Sequence, residues 1–102
     1  REVAFHVVTL PTIFGEALRL RLLDRAALPS DLARTGLDGE PLRQVRAALH
    51  RAHGLVLVAG PAGAGKSTTL CTAIGELVGD SVRIAAVEDP VEYHLQGVSQ
   101  VQ

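Results

Sequence analysis

The sequence predicts an α/β fold, and three observations lead to it. Residues 55–59, Leu-Val-Leu-Val-Ala, are apolar without interruption, as in a parallel strand covered on both faces. A glycine-rich stretch and then a helical pattern over residues 67–77 follow directly. A second apolar run over residues 82–87 completes a strand–helix–strand unit of about 30 residues. Such units are right-handed, so the two strands are expected to run parallel.

The glycine-rich stretch reads Gly60-Pro61-Ala62-Gly63-Ala64-Gly65-Lys66-Ser67, with Thr68 next. Strand, glycine loop and helix in that order are the context a phosphate-binding P-loop needs. The loop turns backbone N–H groups inward and sets a helix N-terminus behind them. Glycine suits it because a tight turn needs positive φ and a side chain would keep phosphate at a distance. Lys66 would bring a point charge to the β- and γ-phosphates, and the Ser67 hydroxyl would bind Mg²⁺. The plain alternative is a Gly/Ala-rich turn ending in Lys-Ser. The flanking patterns favour the phosphate site, so the nine residues from Gly60 to Thr68 are the candidate nucleotide-binding set.

Composition narrows the rest. The 102 residues suit one small domain or parts of two. The chain starts at Arg1, contains no methionine and ends on Gln102 without a polar tail, so a longer protein is expected. A net charge of −1 gives no basic footprint for nucleic acid, and 3% aromatic residues make base stacking a poor expectation. Apolar residues, at 47%, are enough for an aliphatic core. Cys71 is the single cysteine, which excludes an internal disulfide and a cysteine-cluster zinc site; in a helix it reads as a small buried thiol. No apolar run reaches the roughly 20 residues that cross a bilayer.

Taken in order, residues 3–9 are rich in β-branched and aromatic side chains and read as a strand. Pro11 and Gly15 mark the break after it. From Ala17, Leu18, Leu20 and Leu22 alternate with Arg19 and Arg21, a half-buried strand with two guanidinium groups on its polar side. Together the strands make a hairpin, and its arginines read first as a solvated face. Between Asp24 and Pro41 a linker is expected, with Pro29-Ser30-Asp31 able to cap a short helix. Pro41 then opens a helix whose stripe is Leu42, Val45, Leu49 and Ala52, with Gly54 as its stop. Arg43, Arg46, His50, Arg51 and His53 read as its solvated, basic side. His50 and His53 lack a third metal ligand and are taken as structural or surface residues. In the helix after the loop, Leu70, Ile74 and Leu77 are the expected buried stripe, and Gly79-Asp80 the stop.

The strand over residues 82–87 runs into Glu88-Asp89-Pro90-Val91-Glu92-Tyr93, three acids within five residues. Ligands of open α/β sheets bind beyond the carboxyl ends of strands, so Glu88 would meet the P-loop at one edge if the strands are neighbours. A carboxylate there can orient an attacking water or hold the water shell of a metal. A solvated turn stopped by Pro90 is the simpler reading, and the P-loop beside it favours chemistry.

These motifs converge. Thr9-Leu10-Pro11-Thr12 with Gly15-Glu16, then Arg21-Leu22-Leu23-Asp24, then Gly54-Leu55 before the P-loop, resemble the type II secretion and type IV pilus assembly ATPases. So do the extended loop through Thr68-Thr69-Leu70 and the segment Val87 to Tyr93, which is similar to the Asp box of that family. The tail Gly97-Val98-Ser99-Gln100-Val101-Gln102 resembles the glutamine-bearing stretch that follows the box. The resemblance covers essentially the whole chain and is weakest over residues 26–49.

The resemblance implies an α/β fragment. Residues 1–35 would be the end of a smaller N-terminal α/β domain with its linker, and residues 36–102 the first βαβ part of a RecA-like P-loop NTPase core. It implies a homo-hexameric ring that hydrolyses ATP with Mg²⁺. The ring would sit in the cytoplasm, peripheral to the bacterial inner membrane, where it engages secretion or pilus platform proteins. Lys66, Glu88 and Arg21 would be the catalytic group. Arg21 corresponds to a family arginine that reaches the phosphates from the first domain, and Glu88 to the shared acid, with Glu92 a second participant. The family commonly has arginine at His6, serine at Val8 and histidine at Phe14, so one phosphate contact is expected to be lost or pH-sensitive. Ala62 and Ala64 replace a Thr/Ser pair where the loop acts through backbone. The family's Walker B acid, His box and zinc module are expected beyond Gln102, so the fragment alone should hydrolyse little. The rival readings are a non-catalytic or regulatory ring subunit, and a nucleic-acid translocase on the same core.

Overall fold

Alternation at the start of the chain builds a β-hairpin. In the computed structural model, which describes residues 3–24, 28–79 and 81–102, β1 (Ala4–Thr12) pairs antiparallel with β2 (Gly15–Leu23). The register runs from Ala4↔Leu23 to Thr12↔Gly15, leaving Ile13 and Phe14 as a two-residue turn. Thr12 Oγ1 closes that turn, donating to the Gly15 carbonyl at 2.7 Å and accepting from the Phe14 N–H at 3.2 Å. β1 runs three residues past the expected strand end and includes Pro11; in a two-stranded sheet every strand is an edge, where a missing donor is tolerated. His6↔Arg21 and Val8↔Arg19 share one face, and Phe5↔Leu22, Val7↔Leu20 and Thr9↔Leu18 share the other. The expected half-burial is not met. Phe5, Val7, Leu18, Leu20 and Leu22 are all more than half exposed, because no described element covers them.

Among the described residues, the linker carries a 3-10 turn, Leu32–Thr35. Asp31 caps it as expected: its Oδ1 accepts from the Arg34 N–H at 3.2 Å, and Gly36, at φ 93°, ends it. Leu32 is completely buried. α1 (Gly39–Leu49) places Pro41 in its first turn, but stops before Ala52 and Gly54. The Arg51 N–H bonds the Ala48 carbonyl at 3.3 Å, a tight i to i−3 closure that ends the helix early.

Residues 55–59 form no ladder among the described residues, contrary to the expected central strand. A strand needs a partner to take up its backbone donors and acceptors, and none of the described strands bonds this segment. β3 (Ile84–Val87) pairs in parallel with β4 (Val98–Val101), in the register Ile84↔Val98 to Val87↔Val101. The parallel pair thus lies between β3 and a strand the sequence pattern did not announce. Ahead of β3, Val82 is held in a bridge to Gly79. Asp80, half of the expected helix stop, lies outside the described residues, as do Arg1, Glu2 and residues 25–27.

α2 (Lys66–Leu77) begins one residue before the expected start, and its inward face differs from the predicted stripe. Cys71, Thr72 and Ala73 are buried, while Leu70 is exposed and Ile74 and Leu77 are half-buried. Small side chains face inward because the turn carrying Leu32 packs closely on this helix. Thr72 tolerates burial by donating its hydroxyl to the Thr68 carbonyl at 2.7 Å. The described residues make a small α/β arrangement of two two-stranded sheets and two α-helices. Among the described residues, no helix is long and apolar enough to cross a membrane.

Candidate functional site

Backbone shape makes the glycine loop. Gly63 and Gly65 hold φ of 77° and 95°, where a side chain is strained. At Gly60 the constraint is space: an added Cβ would stand 3.1 Å from that of Ala64. Ala64 N–H closes the turn on the Pro61 carbonyl at 3.2 Å, and Thr69 N–H starts α2 on the Gly65 carbonyl at 2.9 Å. Gly65 is the N-cap and brings no side-chain acceptor. The first-turn N–H groups of α2 therefore point outward without a cap, the arrangement that receives an anion. Lys66 folds back over the loop, its Nζ donating to the carbonyls of Gly60 at 2.9 Å and Pro61 at 2.8 Å.

A cavity of about 340 Å³ opens on this loop, lined by Ala62, Gly63, Gly65, Lys66, Ser67 and Thr68. Arg21, Glu92 and Tyr93 complete its wall. The hairpin arginine, some 40 residues upstream, therefore borders the same space as the loop. An Arg21 nitrogen lies 3.9 Å from Glu92 Oε1, a long ion pair between an exposed arginine and a half-buried carboxylate. Arg19, on the same face, lines a different cavity of about 450 Å³ with His6, Val8 and Leu20, which Arg21 also borders.

Glu88 comes to the loop's neighbourhood by another route. Residues 55–59 form no ladder with β3, so a sheet edge shared by two paired strands is not what brings it there. Instead Glu88 lines a cleft of about 390 Å³ with Ser67, Cys71, Asp89 and Glu92. Ser67 and Glu92 border both this cleft and the loop cavity. Glu88 itself is tied to β4: its N–H donates to the Val101 carbonyl at 2.9 Å, and its Oε1 accepts from Gln100 Nε2 at 2.7 Å. The resemblance named Gln100 only as part of the tail, with no role, and β4 was not expected as a strand: each face of Val98-Ser99-Gln100-Val101 mixes one apolar and one polar residue, so no alternation marks it.

Cys71 is buried in the cleft wall. Burial first, and then the negative charges of Glu88 and Glu92, push its thiol up from the usual cysteine range. It stays protonated and is a packing residue, not a nucleophile.

One expectation fails instructively away from the loop. Arg46, assigned to a solvated face, grips Glu76 of α2 through two bonds, Nε to Oε2 at 3.1 Å and a terminal nitrogen to Oε1 at 2.9 Å. The Leu32 N–H also donates to Glu76 Oε1, at 2.7 Å. The Arg46 bonds first, and then the Leu32 N–H, hold the Glu76 carboxyl below the usual carboxylate range. One carboxylate thus joins the linker turn, α1 and α2.

Comparison with known proteins fits this layout. The family described as type II/IV secretion system protein matches over residues 1–102. The type IV pilus assembly ATPase PilB of Myxococcus xanthus is 44% identical over 102 residues, all of this chain and 18% of the relative. Type II secretion system protein E of Xanthomonas campestris is 44% identical and that of Klebsiella pneumoniae 46%, each over the whole chain and over 18% and 20% of their own lengths. The chain spans about a fifth of the length of the curated relatives it matches. A single match that runs unbroken through hairpin, linker, glycine loop and acidic turn places the chain in the type II/IV secretion system protein family.

Proposed function

We propose that this chain carries the nucleotide site of an ATP-hydrolysing motor that drives type II secretion or type IV pilus assembly. The observation that supports the reading best is the cavity bordered at once by Arg21, the glycine loop and Glu92. In this reading residues 1–35 end one domain and residues 36–102 open a RecA-like core, with the nucleotide held between them. ATP is the substrate. The uncapped N–H groups at the start of α2 and the backbone of residues 60–65 receive its β- and γ-phosphates. Lys66 exchanges its two loop carbonyls for phosphate oxygens, and Arg21 approaches from the hairpin side.

The donors around Ser67 suit Mg²⁺, since a hydroxyl and nearby carboxylates are the hard oxygen ligands that it takes. Ser67 would hold the ion, with Glu88 acting through its water shell. The chemistry Mg²⁺ supplies when bound is neutralisation of charge between the phosphate oxygens. Glu88 accepts a proton from the attacking water, or orients that water, from the cleft beside Ser67. The working assembly is a homo-hexamer on the cytoplasmic face of the inner membrane, engaged with platform proteins. The names of the relatives support ATP use and the two systems served.

Lys66→Ala in the full-length protein is the test. ATP turnover should fall by at least about 100-fold, because the point charge on the transferring phosphoryl group is lost. Near-normal turnover in that variant would overturn the motor assignment.

A further inference from the structure

The Gln100 carboxamide is tied on three sides. Its Nε2 donates to Glu88 Oε1 and to the Tyr93 carbonyl, both at 2.7 Å, while its Oε1 accepts from the Leu95 N–H at 2.9 Å. These partners admit one orientation of the amide. Flipped, it would press its oxygen against two acceptors and its NH2 against a donor.

Strand register brings the pair together. Gln100 stands beside Ala86 in the parallel ladder, and Glu88, two residues on from Ala86, falls on the same face. That face is half-buried on both strands, while Ala85, Val87, Ser99 and Val101 are exposed. The ladder runs one residue beyond β3, because the Glu88 N–H bonds the Val101 carbonyl. β4 therefore holds Glu88 by both backbone and side chain.

We infer that Gln100 is a positioning residue for Glu88, fixing one carboxylate oxygen so that the other serves the water in the cleft shared with Ser67. An amide N–H faces only an acceptor, so it takes one lone pair of Oε1 and holds it on the β4 side, leaving Oε2 the freer proton acceptor. None of the described residues donates to Oε2. The Tyr93 and Leu95 bonds hold the amide itself, so Glu88 meets a donor already fixed in place. The same bonds gather the turn after Glu88 onto β4, and that turn also carries Glu92 to the wall of the loop cavity. The inference rests on the proposed role of Glu88 in ATP hydrolysis.

The test uses Gln100→Met in the full-length protein, which keeps side-chain length and removes every polar contact. The expected result is a fall in kcat of about 10-fold to 100-fold, the usual effect of losing a partner that orients a working group, with KM for ATP within about 2-fold. In a Glu88→Gln background, Gln100→Met should lower kcat no further, because Gln100 acts through Glu88. Unchanged kcat in Gln100→Met, or a full additional loss in the double variant, would overturn the inference. If the methionine variant does not assemble, Gln100→Asn carries the same test, since its amide is one methylene too short to reach Glu88. Lys66→Ala run alongside separates the two ideas. Normal turnover there removes the motor reading, whereas its loss together with normal Gln100→Met kcat removes the positioning role alone.

Discussion

The glycine loop and the acidic turn bring opposite charges to adjoining cavities by opposite means. The loop is made of backbone: positive φ at Gly63 and Gly65, an uncapped helix start, and a lysine resting on the loop's own carbonyls. The acidic turn is made of side chains, with Gln100 joining Glu88, Tyr93 and Leu95 across two strands and a turn. The difference concerns where information is stored. A backbone site requires glycine at set positions and tolerates Ala62 and Ala64 between them. A side-chain site requires one amide at one register position and is blind to most of the residues around it.

Three perturbations would break or sharpen that contrast. The largest effect is expected from Gly65→Val, which forces a β-branched residue into a left-handed conformation at the helix start. ATP affinity of the full-length protein, measured by calorimetry, should fall by about 10-fold to 100-fold, as the cost of left-handed φ is added to distortion of the phosphate cradle. Wild-type affinity would mean that the loop does not act through its backbone shape.

Arg21→Ala should cost less, roughly 10-fold in turnover of the assembled protein, because a charge-assisted contact from the far side of the cavity is lost. Steady-state kinetics checks this. An unchanged rate returns Arg21 to a solvated hairpin face, paired only loosely with Glu92.

The third effect lies outside both regions and falls on stability, with no expected change in the chemistry. Glu76→Ala leaves the Leu32 N–H without its acceptor beside a fully buried residue, at a cost of about 1 to 3 kcal/mol in denaturant unfolding. The same carboxylate predicts a pH dependence. Its folded pKa is depressed, so its contribution is fully present above the unfolded value near 4.5 and is lost as pH falls through the lower folded value. Unfolding midpoints measured from pH 6 to pH 3 should therefore drop in the wild type more than in Glu76→Gln.

The fold was legible wherever local pattern decides it. Leu18, Leu20 and Leu22 against Arg19 and Arg21 announced a strand, Asp31 announced a cap, and the loop announced α2. It was illegible wherever a partner decides it. Residues 55–59 have the composition of a buried strand, yet a strand exists only with a neighbour to bond, and none of the described strands bonds them. Arg46 carries the same local signal as Arg43, and only the approach of α2 makes it half of an ion pair. At the site, Gly63, Gly65, Lys66 and Ser67 could be named from spacing, whereas Gln100 could not. Its bonds cross 12 residues to Glu88, and one glutamine in a four-residue strand carries no local signature.

Gly97 gives α2 a second task. A Cβ at Gly97, whose φ is 80°, would lie 2.8 Å from a methyl group of Val78, the residue that caps the C-terminal end of α2. One end of the helix thus carries Ser67, and the other abuts the residue from which β4 departs toward Gln100. A 12-residue helix is a rigid rod about 18 Å long. It acts as a gauge bar between the hydroxyl at one end and the root of the strand that steadies the acid at the other. A bulky residue at position 97 would lengthen that bar by the width of a methyl group, with no change to any residue of the glycine loop.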